Sequence, residues 1–85
     1  MTMRELSKAQ RKWLEHLTNN GPTVRGHTNT AYHCMSHGWT EWFVKFRDGR
    51  IERLEGQDTS DADVWLDSIT PAGRAMLAAA KEARP

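Results

Sequence analysis

Eighty-five residues are enough for one domain with a small core, read here as residues 1–85, and four Trp carry much of its apolar volume. A single cysteine, Cys34, rules out an intrachain disulfide and fits a reducing compartment. The stretch 1–12 is polar and charged rather than signal-like, and no apolar run approaches a membrane span, so a cytoplasmic protein is expected.

The formal net charge of +1 conceals an asymmetry. Residues 1–50 hold eight Lys or Arg against four Asp or Glu and contain all four His, whereas residues 51–85 hold four against seven. The basic half suits an anionic partner, and the acidic half is expected to point away from it.

The first predicted element is a helix over about 7–19. Ser7 and Gln10 have the spacing of a capping box. Ala9, Trp13, Leu14 and Leu17 recur on one face, and Asn19-Asn20-Gly21-Pro22 stops the helix. Residues 22–27 fit either a short turn or a loop. A second helix starts near Thr28 or Asn29, both able to cap, with Ala31, Cys34 and Met35 inward. Its outward residues are Asn29, Thr30, Tyr32, His33, Ser36 and His37, and Gly38 ends it.

Trp39 to Arg47 is aromatic and β-branched, and Asp48-Gly49 is a strong hairpin signal. A two-residue turn would set Phe46 against Ile51, Lys45 against Glu52 and Phe43 against Leu54. It would also set Val44 against Arg53, a poor pair that points to a bulge or slip. Gly56 to Asp63 reads as an acidic loop and Val64 to Ile69 as a third strand. Thr70-Pro71 then opens a last helix with Thr as cap, Pro at the first position and Met76, Leu77 and Ala80 as its stripe. Trp13 and Trp65 are expected in the core, and Trp39 beside them.

Two stretches carry a resemblance. Ala31-x-x-Cys34-x-x-x-Gly38-Trp39-Thr40 resembles a recognition helix running into the first strand of a wing. Ile69-Thr70-Pro71-Ala72-Gly73-Arg74-Ala75-Met76-Leu77 resembles the passage that leaves the wing in the multiple-antibiotic-resistance-type regulators and in many small bacterial and phage proteins. The resemblance spans about residues 6–80. It implies an α+β winged helix-turn-helix domain with three principal helices and a two- or three-stranded antiparallel sheet. The chain departs from it in a short, Gly-broken connector before the second helix and in the lack of Lys or Arg on that helix's outward face.

The function it implies is binding of double-stranded DNA, as a transcription regulator or accessory factor of phage or prophage type. The expected contacts are Arg25, Thr28, Asn29, Thr30, Tyr32, His33, Ser36 and His37 around the helix, and Lys45, Arg47, Arg50 and Arg53 on the wing. Polar helix residues can hydrogen-bond base edges in a major groove, and wing cations neutralise phosphates. The alternative is a winged-helix module for protein–protein contact, such as a phage inhibitor of a host machine of the anti-CRISPR kind.

Other chemistries are disfavoured. His33 and His37 stand i, i+4, but Cys34 lies off their face and no third ligand is placed, so no metal is expected. An inward Cys is usually inert packing, and neither a phosphate loop nor a paired-carboxylate site occurs, so no cofactor and no enzymatic activity are expected. Asp58, Asp61 and Asp63 lack the spacing of a calcium loop. A homodimer, if formed, is expected through the first or last helix, where Ala75, Ala78, Ala79 and Ala83 would allow close approach.

Overall fold

The computed structural model describes residues 6–82. Along them run α1 (Lys8–Asn20), β1 (Thr23–Val24), α2 (Asn29–Ser36), β2 (Thr40–Phe46), β3 (Ile51–Arg53), β4 (Ala62–Ile69) and α3 (Pro71–Glu82). The four strands form one antiparallel sheet in the order β1-β4-β2-β3. The described residues are thus α+β, with three helices and a small antiparallel sheet. No described helix is long and apolar enough to cross a membrane.

Each helix is delimited by its own sequence. The Ser7 hydroxyl accepts the Gln10 N–H at 3.1 Å and the Gln10 side chain accepts the Ser7 N–H at 2.9 Å, a complete capping box for α1. Thr28 caps α2 by accepting the Ala31 N–H at 3.1 Å. At the other end Trp39 N–H reaches the Cys34 carbonyl and Gly38 N–H the Met35 carbonyl, both at 3.0 Å. That pattern requires a left-handed residue, and Gly38 supplies it with φ of 76°. Between β1 and α2 the chain forms no helix, so α1 is joined to α2 through an extended segment.

The sheet has one more strand than the sequence suggested. Thr23 and Val24, read as turn or loop, pair with Asp67 and Leu66. Two residues give too short a pattern for periodicity to register. The hairpin register also differs from the expected one. Phe46 N–H donates to Arg50 O at 2.8 Å and Gly49 N–H to Phe46 O at 2.9 Å, so three residues, not two, form the turn. Gly49 takes φ of 93°, as a type I turn with a G1 bulge requires. Phe43, Val44 and Lys45 therefore face Arg53, Glu52 and Ile51. The one-residue shift turns Ile51 outward, where it is 57 % exposed, instead of setting it against Phe46.

Alternation along the strands separates two faces. Thr40, Trp42, Val44 and Phe46 of β2 share the helix-covered face with Trp65, Asp67 and Ile69 of β4 and Thr23 of β1. The core gathers Leu14, Leu17, Cys34, Trp39, Ile69 and Leu77, with Leu6, Trp13 and Met76 packed against it. Trp39 is a core residue as expected, Trp13 is half-buried at its edge, and Trp65 lies outside this cluster.

The Thr70-Pro71-x-Gly73 passage locks α3 to the sheet. The Thr70 hydroxyl accepts the Gly73 N–H at 3.0 Å and donates to the Gly38 carbonyl at 2.6 Å. Gly73 is buried, and a Cβ there would overlap the Trp39 carbonyl and crowd the Ile69 side chain. Glycine is needed at this position for closeness of approach rather than for backbone freedom.

Candidate nucleic-acid interface

α2 is held by its narrow inner side. Ala31 and Cys34 are 2 % and 0 % exposed and pack toward α1 and β2. Asn29, Tyr32, His33 and Ser36 are exposed on the opposite side, with Thr30 and His37 half-buried. Thr28 is the cap, so its hydroxyl oxygen is already an acceptor within the chain. The Ser36 hydroxyl donates to the His33 carbonyl at 2.9 Å, and the His37 ring lies against Trp39 with centroids 4.4 Å apart.

Arg25 stands beside this helix in a setting that periodicity gave no hint of. Its guanidinium carbon lies 4.6 Å from the Trp42 ring centroid and 5.4 Å from that of Trp65. Both rings stand on the helix-covered face, brought together because Val44 pairs with Trp65 and Trp42 with Asp67. A guanidinium in reach of two indoles gains cation–π attraction from both and loses rotamer freedom. Tyr32 meets Trp42 edge-on at 5.9 Å and 76°, and its hydroxyl lies 3.5 Å from His27 Nδ1. Arg25, His27, Tyr32, Trp42 and Trp65 thus form one continuous aromatic and cationic cluster along α2.

Under the cluster lies Asp67, 0 % exposed. Its Oδ2 accepts the Gly26 N–H at 2.9 Å, which ties the turn after Arg25 to β4. The Thr23 hydroxyl and the Trp42 indole nitrogen flank it in the same row of the sheet, both buried and without a well-formed hydrogen bond to a protein group. Burial pushes the Asp67 carboxyl up from the ordinary range, opposed by the Gly26 N–H, the Trp42 indole, and the charges of Arg25 and His27. Burial likewise, with help from the nearby Asp67 charge, raises the Cys34 thiol to about 11. Cys34 is therefore a protonated packing residue at neutral pH. Sequence reasoning passed over Asp67. The available signal was its parity with Trp65 and Ile69 in β4, which sets a carboxylate on the inward side of a strand.

The wing cations divide into two groups. Arg50 binds Asp48 and Glu52, each at 2.8 Å, and its guanidinium also lies over the Phe46 ring. The Arg50 backbone N–H and guanidinium together hold the Asp48 carboxyl below its usual range. Arg53 lies 3.3 Å from Glu41 and 3.9 Å from Glu55. Lys45 and Arg47 are exposed and have no ion-pair partner among the described residues. The expected cross-strand pair of Lys45 with Glu52 does not form, because the hairpin register places Ile51 opposite Lys45.

Among the described residues no three His, Cys, Asp or Glu side chains come together as a metal site. On α3, Ala75 and Ala78 are exposed and Ala79 is half-buried, while Ala83 lies outside the described residues. No protein-family model, no curated protein and no solved structure matches the chain.

Proposed function

We propose that this chain is a small winged-helix-like DNA-binding protein, a transcription regulator or accessory factor, with α2 as its recognition helix and the β2–β3 hairpin as its wing. The observation that carries the reading is the disposition of α2. The helix is anchored through Ala31 and Cys34, shows Asn29, Tyr32, His33 and Ser36 outward, and has beside it an arginine already oriented by two indoles. Such a helix offers hydrogen-bonding groups of the kind that read base edges. Lys45 and Arg47 are the wing cations free to neutralise phosphate, whereas Arg50 and Arg53 first have to leave carboxylates. Binding is tested by titrating labelled duplexes of random and selected sequence with the protein at low salt, where even sequence-independent attraction is measurable. Absence of binding to every duplex overturns the reading.

A protein-binding role is the second reading, favoured by the outer face of the sheet. Val24 is 67 % exposed there, in register with Leu66 and Phe43, and Ile51 lies nearby beside Lys45. Exposed apolar rows of this kind suit a protein surface better than a phosphate backbone.

A further inference from the structure

A groove of about 410 Å³ opens between α1 and the start of α2. Ala9, Lys12, Trp13 and His16 line it from α1, and Thr28 and Thr30 from the other side. The spacing of the four α1 residues puts them on one helical face. The lining combines an ammonium group, an imidazole, an indole and two hydroxyls, with no carboxylate.

Two of these groups have hydrogen-bonding capacity to spare. Lys12 is exposed and has no partner among the described residues. The Trp13 Nε1 is screened from solvent and has no acceptor among the described residues, so it takes no part in the polar lining of the groove. The Thr28 oxygen accepts the Ala31 N–H, which leaves its own proton to donate. The His16 ring stacks on Trp13 with centroids 5.6 Å apart and planes at 18°. The wall is mainly apolar, and the few donors set in it, around a cation with no partner among the described residues and with no carboxylate nearby in the lining, favour an anion.

We propose that this groove seats a phosphate of the nucleic-acid backbone, held by Lys12 and the Thr28 and Thr30 hydroxyls against the Trp13–His16 stack. The inference rests on the DNA-binding reading above and adds to it a contact made by α1. The exposed side of α2 begins at Asn29, between the two groove threonines, so a duplex engaged by α2 passes the groove mouth. A contact of this kind fixes the position of the helix on the duplex without reading sequence.

The test measures duplex affinity as a function of salt for the wild type and for Lys12→Ala, Lys12→Arg and Lys81→Ala. Loss of one phosphate contact lowers the slope of log affinity against log salt by about 0.9. Lys12→Ala is expected to show that drop equally on random and selected duplexes, Lys12→Arg to restore the slope, and Lys81→Ala, on α3, to leave it unchanged. Thr30→Val should weaken binding several-fold with the Lys12 slope intact. All three positions lie at the surface or its edge, and circular dichroism verifies the fold of each of the four variants. A wild type that binds duplex while Lys12→Ala keeps the full slope overturns the groove contact and leaves the DNA reading standing. An equal drop in Lys81→Ala overturns it as well, because net charge alone then accounts for the effect. A wild type that binds no duplex removes the reading and the groove contact together.

Discussion

The Asp67 carboxylate accepts the backbone N–H of Gly26 at 2.9 Å, joining positions 41 residues apart. This bond fixes the turn that sets both Arg25 against its two indoles and Thr28 at the cap of α2. It does so with a group whose ionised form is disfavoured by burial.

That cost has a definite pH signature. The folded-state pKa of Asp67 is raised above its value of 3.8 in the unfolded chain, so the folded protein binds the proton more tightly. The resulting stability is fully present below the unfolded pKa and is lost as pH rises through the folded one. Asp67→Asn keeps an acceptor for Gly26 and removes the charge. It is expected to raise the Tm at pH 7, with the difference shrinking toward pH 4. Asp67→Ala strands the Gly26 N–H and should cost about 1–3 kcal/mol relative to Asp67→Asn. Thermal melts across that pH range decide it, and a lower Tm for Asp67→Asn at pH 7 would show that Arg25 and His27 fully compensate the charge.

Gly73→Ala drives a methyl into the Trp39 carbonyl, and α3 has to move to make room. The expected loss is about 3 kcal/mol, the upper end of the usual cost of overpacking. It stands against the gain in helix propensity, about 1 kcal/mol, that the same change brings at an unhindered helical site. Urea denaturation gives the sign directly.

The Cys34 thiol, at about 11 and fully buried, is expected to resist thiol reagents at pH 8 in the native protein. It should react promptly once the chain is unfolded in guanidinium. Fast labelling of the native state would mean that α2 leaves β2 readily.

On the wing, Arg47→Ala and Arg50→Ala should differ. Arg47 has no carboxylate partner among the described residues, so its loss should lower the salt slope of duplex binding by about 0.9. Arg50 is shared between Asp48 and Glu52, and its removal should change the slope by less than half as much while loosening the hairpin. Equal slopes for the two variants would show that Arg50 abandons both carboxylates when the duplex binds.

At α2, Asn29→Ala and Tyr32→Ala are expected to cost about 1–3 kcal/mol on a preferred site and little on random duplex. Arg25→Lys should weaken both, since a compact ammonium group cannot lie flat against the Trp42 and Trp65 rings as a planar guanidinium can. A red shift in tryptophan emission would accompany it. Unchanged affinity and emission would assign Arg25 no part in the interface.

The helices were legible in the sequence because their signals are local. Ser7 with Gln10, Thr28 with Ala31, Gly38, and Thr70 with Gly73 each act within a few residues, and each makes the bond its spacing predicts. The strands on either side of Asp48-Gly49 were legible for the same reason, from β-branched and aromatic content. The one-residue register change was not, since two- and three-residue turns use the same Asp-Gly pair and differ only in how the strands fit their neighbours. Strand β1 had no signal of its own and exists because β4 offers Thr23 and Val24 an edge. The candidate interface divides in the same way. The outward residues of α2 follow from helical geometry, but the placing of Arg25 against Trp42 and Trp65 near Asp67 depends on three segments distant in the chain. Sequence determined which segments fold and where they stop, through short-range hydrogen bonds and periodicity. Pairing between distant strands decided which charges are buried, which are already paired and which remain available to a partner, because burial and Coulomb attraction depend on distance in space and not along the chain.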